Sequence, residues 1–223
     1  MQAAIVQSDA GVTLVGGGDV APGALARALE MAPRLVAADS GADRALAAGH
    51  RPEAVIGDLD SLSPAARAQL GAARLHRIAE QETTDFDKAL RSIVAPFVLA
   101  VGFTGPRLDH TLGVFNALAR HPDRRCLVLG AQDVCFLAPH DLALQLVPGT
   151  RLSLFPLGAV SGTSEGLRWP IGGIGFAPAG LTGLSNEVSA PQVRLRLSAR
   201  RMLVMLPAEA LDAALAGLGP GPG

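Results

Sequence analysis

The chain has 223 residues, 19 basic and 20 acidic side chains and a formal net charge of −1. No basic excess points to a nucleic-acid or membrane partner. With 49% hydrophobic residues the chain can bury a sizeable core, as one large domain or two modest ones. Cys126 and Cys135 fit neither a Cys-x-x-Cys nor a zinc spacing, and they read as buried free thiols of a reducing cytoplasm. Met1 to Ala10 lacks a basic segment followed by a long apolar one, so no signal peptide is expected. No apolar run is long enough to span a bilayer. Gly217 to Gly223 is Gly/Pro-rich and reads as a disordered tail.

The first part of the chain alternates. Strands are expected at Val12–Val15, Arg34–Ala38, Ala54–Ile56, Arg74–Ile78, Phe97–Val101 and Arg125–Leu129. Between them lie helices over Pro22–Met31, Ala42–Ala48, Pro64–Leu70, Phe86–Ile93 and His110–Arg120. Strands alternating with helices imply parallel βα units, hence an open, mostly parallel α/β sheet. After about residue 130 the pattern changes to period two. Leu142, Leu144 and Leu146 alternate, as do Leu152 and Leu154, and Val193, Leu195 and Leu197. Met202–Leu206 is a further strand and Pro207–Leu218 a short helix. Such patterning indicates a smaller antiparallel β-sandwich. The expected domains are therefore 1–130 and 131–223, divided near Ala131.

The loops that follow the first strands hold the chemistry. They are Gly16-Gly17-Gly18-Asp19, Asp39-Ser40-Gly41, Gly57-Asp58-Leu59-Asp60, Thr83-Thr84-Asp85, and Gly102 to Gly105 with Arg107 and Asp109 beyond. In open parallel sheets, ligands bind outside the carboxyl ends of the strands. Asp58 and Asp60 are i, i+2, so an extended backbone aims both to one side. Such a pair suits a hard divalent cation such as Mg²⁺; a polar turn after a buried strand is the plainer alternative. Lys88, three residues after Asp85, shares a helix face with it. It serves either a surface ion pair or, with Arg107, a phosphate. Asp109 suits a helix N-cap, and His110 a structural hydrogen bond.

Two more features need a place. Gly16-x-Gly18-x-x-Ala21 with Asp39 matches a dinucleotide fingerprint, which keeps an NAD-linked oxidoreductase open as an alternative. Against it, the helix at Pro22 starts late relative to the glycines, and such an enzyme has no need of four further aspartates around one cleft. No Gly-x-x-x-x-Gly-Lys-Ser/Thr is present, which excludes a Walker-type loop. Trp169, the single tryptophan, lies in Gly166-Leu167-Arg168-Trp169-Pro170, as core or as an exposed stacking face. Leu184-Ser185-Asn186-Glu187 reads as a polar turn.

Gly57-Asp58-Leu59-Asp60-Ser61, Gln81 to Leu90 and Gly105 to Thr111, in that order, resemble signatures of the thiamine pyrophosphokinase family. So do Gly166 to Pro170 and Ser185-Asn186-Glu187. The resemblance implies pyrophosphoryl transfer from Mg²⁺–ATP to the hydroxyethyl group of thiamine, giving thiamine diphosphate and AMP. It also implies a nucleotide domain, a thiamine-binding β-sandwich and a cytoplasmic homodimer with active sites between subunits. On this reading Asp58, Asp60 and Asp85 hold Mg²⁺. Gly17, Gly18, Asp39, Ser40, Thr84, Lys88, Arg107 and Asp109 hold ATP. Gln81, Trp169, Ser185 and Asn186 hold thiamine. Pro106 stands where the family usually has glycine, and its missing N–H bears on any phosphate contact there. A non-catalytic nucleotide- or thiamine-binding protein is the remaining alternative.

Overall fold

The structure, a computed structural model, describes residues 4–105 and 107–219. Pro106 and the last four residues of the Gly/Pro-rich tail lie outside the described residues. The chain divides into two compact units, 4–117 with 128–131, and 118–127 with 132–219.

The first unit begins with β1 (Val6–Gln7), β2 (Val12–Val15), α1 (Ala24–Met31), β3 (Arg34–Ala38), α2 (Gly41–Ala47) and β4 (Ala54–Gly57). There follow α3 (Pro64–Leu70), β5 (Leu75–Arg77), α4 (Asp85–Ser92), β6 (Ile93–Val94) and β7 (Val98–Val101), then α5 (Leu108–Arg120) and β8 (Cys126–Leu129), each of which is divided between the two units. β2 pairs parallel with β7, β3 with β4, β4 with β5, and β1 with β6. All four residues of β2, β4 and β7 are buried, as strands covered on both faces should be. The helices start where capping chemistry allows. Ser63 Oγ accepts the Ala66 N–H at 3.0 Å, with Pro64 at the first helical position of α3. Thr84 Oγ1 accepts the Asp87 N–H at 3.3 Å, and Asp85 and Asp87 add negative charge to the first turn of α4. Gly41 opens α2 against β2; a Cβ there would sit 2.1 Å from the Val15 carbonyl oxygen, so no other residue fits.

The second unit holds β9 (Asp133–Leu137), β10 (Asp141–Gln145), β11 (Arg151–Pro156), β12 (Gly162–Glu165), β13 (Gly183–Glu187), β14 (Gln192–Leu197), β15 (Met202–Pro207) and α6 (Leu211–Gly217). Its strands form two antiparallel groups, β13-β11-β15-β9 and β10-β14-β12. Leu142, Leu144, Leu152, Leu154, Val193 and Leu195 are buried from them, and α6 packs on β10 and β15. Among the described residues no helix is long and apolar enough to cross a membrane. Cys126 and Cys135 are buried free thiols; burial pushes both thiols up, Cys135 to about 12.

Candidate active site

The parallel strands of the first unit release their glycine- and aspartate-bearing ends around one cavity of about 560 Å³. Its lining includes Gly17 and Gly18 from the loop after β2, Asp39 and Ser40 after β3, Asp58 and Ser61 after β4, and Gly102 to Gly105 after β7. Gln81, Thr83, Thr84, Asp85 and Lys88 enter from the start of α4 and the loop before it, Arg107 and His110 from the start of α5.

The glycine loop is shaped by close backbone approach. The Gly18 N–H donates to the Gly102 carbonyl at 2.9 Å, and a Cβ on Gly18 would lie 2.7 Å from that oxygen. That amide is therefore spent inside the fold. A helix does not begin at these glycines; α1 starts at Ala24, after Gly23 in a left-handed conformation. The dinucleotide fingerprint places the pyrophosphate on the N-terminus of the helix that the glycines open, so Gly16–Ala21 matches its spelling without its geometry. Arg44 of α2 braces the loop from below, with Nε 3.2 Å from the Gly17 carbonyl and Nη2 3.4 Å from Asp19.

The acidic cluster joins neighbouring strand ends. Ala38 of β3 is in register with Ile56 of β4, and the Asp39 N–H donates to the Ile56 carbonyl at 3.1 Å. Asp39 and Asp58 thus emerge side by side. Asp39, Asp58 and Asp60 bring carboxylate oxygens within 4.8 Å of one another. The convergence of Asp58 and Asp60 does not come from extended backbone, as their spacing suggested. Leu59 between them is left-handed, with φ of 65°, and the Asp60 N–H donates to Asp58 Oδ1 at 3.2 Å. A tight aspartate turn brings the two side chains together. Asp85, expected with Asp58 and Asp60 at the metal, accepts the Asp58 N–H at 3.2 Å and Lys88 Nζ at 3.1 Å through one oxygen and stands outside the group whose oxygens converge. Asp39, expected at the nucleotide, is the third member of the converging set.

Charge balance in the cavity is uneven. Lys88 is 1% exposed, between Asp85 at 3.1 Å and Asp58 at 3.7 Å. It is no surface lysine; burial of its charge is tolerable because two carboxylates flank it. Gln81 donates to Asp58 Oδ2 at 2.9 Å, and this bond, with the Asp60 amide and the Lys88 charge, holds the Asp58 carboxyl below the usual range. Asp39 is the opposite case. It is buried, its φ is 44°, and its Oδ1 is buried without a hydrogen-bond partner. Burial, and then the charges of Asp85, Asp58 and Asp60, push its carboxyl up. Oxygen donors with surplus negative charge and one unsatisfied buried oxygen are what a hard divalent cation requires. The residues present fit Mg²⁺.

At the cavity mouth, Arg107 and Asp109 form an exposed fork, Nη2 to Oδ2 at 2.6 Å. The pair raises the guanidinium and lowers the carboxyl. α5 begins at Leu108, so Asp109 stands inside the first turn and not at the cap. Ser40 and Thr84 both line the cavity. Arg44, Ser61 and Phe103 also line it and were not singled out in the sequence. Phe103 gives little sequence signal; it packs edge-on against Phe86 at 4.7 Å.

In the second unit, Trp169 is 53% exposed, so it is not a core residue. Its ring carries Arg168 Cζ at 4.8 Å from the centroid, and Arg168 also pairs with Glu187 at 3.3 Å. Asn186 is buried and clamps the Trp169 backbone. Its Oδ1 accepts the Trp169 N–H at 3.2 Å and its Nδ2 donates to the Trp169 carbonyl at 2.7 Å. Ser185 is left-handed and exposed, with its N–H on Ser153 Oγ at 3.0 Å. The Ser185-Asn186-Glu187 segment belongs to strand β13 and is no turn.

Comparison with known proteins now bears on this cavity. Residues 25–128 match the family model of the thiamin pyrophosphokinase catalytic domain. Over 165 residues the chain is 29% identical to thiamine pyrophosphokinase 1 of Oryza sativa subsp. japonica, covering 66% of this chain and 62% of that protein. It is likewise 29% identical over 163 residues to thiamine pyrophosphokinase 1 of Arabidopsis thaliana, covering 65% of this chain and 61% of the relative. The chain thus spans about three fifths of the length of the curated relatives it matches. Two solved structures share its fold. Yeast thiamin pyrophosphokinase superposes with a TM-score of 0.74 at 15% identity, over 96% of this chain and 94% of that one. The Geobacillus thermodenitrificans thiamin pyrophosphokinase gives 0.71 at 24% identity, over 88% and 96%.

Proposed function

With residues 25–128 matching the thiamin pyrophosphokinase catalytic-domain family model, we propose that this protein transfers pyrophosphate from ATP to the hydroxyl of thiamine. The observation that carries the reading is the convergence of Asp39, Asp58 and Asp60 beside a buried Lys88, with Asp39, Asp58 and Lys88 lining a cavity built from glycine-rich strand ends. The thiamine oxygen attacks the β-phosphorus, the bond from that phosphorus to the bridging oxygen breaks, the hydroxyl proton is released and AMP leaves. Phosphoryl chemistry of this type needs positioning and charge neutralisation more than covalent help. Lys88 supplies a fixed positive charge, and Arg107 at the mouth a second one able to bind phosphate through its fork. Asp39, Asp58 and Asp60 would hold Mg²⁺, which when bound offsets phosphate charge. Asp85 anchors Lys88 and the strand-end backbone. Gly17, Ser40, Thr84 and Asp109 line or border the nucleotide's place.

Trp169 offers a flat face to a flat, cationic ring. Asn186 acts by fixing the backbone that presents it. In a homodimer these residues of one copy would serve the cavity of the other, in the cytoplasm. The test is direct: protein mixed with ATP, Mg²⁺ and thiamine is assayed for AMP and thiamine diphosphate. Formation of both in equal amounts is expected. ADP in place of AMP, or no nucleotide product, would refute the proposal.

A further inference from the structure

Just outside the cavity, Glu80 and Arg91 organise the loop that leads into α4. We propose that they are a positioning pair, setting the Gln81–Asp85 loop in the one geometry that serves the nucleotide site; this rests on the reading of that site given above. Neither residue lines the cavity. Glu80 Oε2 accepts two backbone amides, Glu82 N–H at 2.7 Å and Thr83 N–H at 3.0 Å. Glu80 Oε1 accepts Arg91 Nη2 at 2.9 Å and the Thr83 hydroxyl. Arg91 Nη1 in turn donates to Thr83 Oγ1 at 3.0 Å and to Asp87 Oδ1 at 3.2 Å. One carboxylate and one guanidinium thereby tie Glu80, Glu82 and Thr83 to the last turn of α4.

The loop held this way carries the contacts that matter. Gln81 reaches Asp58, Thr84 caps α4, and Asp85 holds both Lys88 and the Asp58 amide. An isolated surface ion pair contributes little. This one differs because its carboxylate also satisfies two amides that the turn leaves without strand or helix partners, and charged acceptors strengthen such bonds. Lysine could not replace Arg91, since one ammonium cannot copy a planar fork that meets three oxygens at once.

Glu80→Gln and Arg91→Lys test the inference, each with wild-type protein in parallel. Backbone amide hydrogen exchange reads the loop, and steady-state AMP formation reads the site. In Glu80→Gln the exchange of Glu82 and Thr83 should accelerate at least tenfold, and kcat should fall at least tenfold while thiamine KM stays within twofold. Arg91→Lys should move both readouts in the same direction. A merely structural pair would lower the melting temperature and leave kcat per folded molecule unchanged, which overturns the inference. Should Glu80→Gln fail to fold, Arg91→Lys decides on the same two readouts. Wild-type protein that forms no AMP refutes the functional reading instead; exchange alone then judges the inference, and unchanged exchange at Glu82 and Thr83 in the variants overturns it.

Discussion

Asp39→Asn should make the metal-free protein more stable and the enzyme worse. Asp39 is buried, with an unpartnered Oδ1, and shares a space 4.8 Å across with Asp58 and Asp60. At an effective dielectric of about 20, two like charges at that separation repel by roughly 3 kcal/mol. Lys88 and Gln81 already offset Asp58, and Asp60 is exposed to water. The net relief from removing the Asp39 charge is therefore about 1–3 kcal/mol after screening. Asparagine keeps the shape, tolerates the left-handed backbone seen at this position, and offers an N–H to its acidic neighbours. For a domain of this size, each kcal/mol moves Tm by about 2–4 °C. Thermal melts without Mg²⁺ should thus place the variant about 2–12 °C above wild type. With Mg²⁺ added, wild type should gain more than the variant, since a ligand stabilises in proportion to its occupancy of the folded state. AMP formation by the variant should drop at least tenfold. A variant less stable than wild type in the absence of Mg²⁺ would show that this carboxylate is not under the repulsion argued here.

Other consequences can be checked alongside. Trp169→Ala should raise thiamine KM roughly tenfold, the equivalent of about 1.4 kcal/mol, with ATP KM and Tm nearly unchanged because the side chain is 53% exposed; thiamine should also quench the fluorescence of this single tryptophan in the wild type. Glu80 is held down to about 2 by Thr83 and Arg91. The folded state keeps it ionised below its unfolded range, so its contribution is complete above about pH 4.5 and is lost as pH falls toward 2. Glu80→Gln should flatten the acid limb of a stability–pH curve by on the order of 1 kcal/mol once solvent screening is counted. Cys126 and Cys135 should resist a thiol reagent in the native protein and both react after denaturation, because burial disfavours their thiolates.

The first unit was legible where its strands are continuous buried runs, and not at the two-residue strands Val6–Gln7 and Ile93–Val94, which bury one side chain each. Val12–Val15 and Arg34–Ala38 stand where the apolar pattern put them. Of the strands that escaped notice in the second unit, Asp133–Leu137 is itself a buried apolar run, whereas two others had no such signal. Gly162–Glu165 alternates between intermediate and exposed residues at the end of the order β10-β14-β12, and Gly183–Glu187 lies at the end of β13-β11-β15-β9. Edge strands like these are held by backbone pairing on one side and bury few side chains. At the site, the aspartates were visible as residues, whereas their grouping was not. Strand alternation gives no strand order, and it is the adjacency of β3 and β4 that sets Asp39 beside Asp58. Likewise, no periodicity tells a surface lysine from Lys88, whose burial depends on two carboxylates from different strand and helix ends.

Those same residues break local rules together. Asp39 and Leu59 both take left-handed backbone, a conformation costly to residues with a Cβ. Leu59 keeps it because its side chain is buried and Arg67 donates to its carbonyl at 2.8 Å. Asp39 keeps it because β4 holds its amide. Strain, like charges at close range and an unsatisfied oxygen each cost stability here. On the function proposed above, a bound cation would offset the last two. Local conflicts that coincide at one place, while the strands around them agree with their own patterning, are the mark of a site shaped for its ligand at the expense of the fold. Asp58 shows how the two demands meet: Gln81 and Lys88 keep it ionised, and the turn at Leu59 aims it. The loop that supplies Gln81 and the helix that supplies Lys88 are the two segments that Glu80 and Arg91 join.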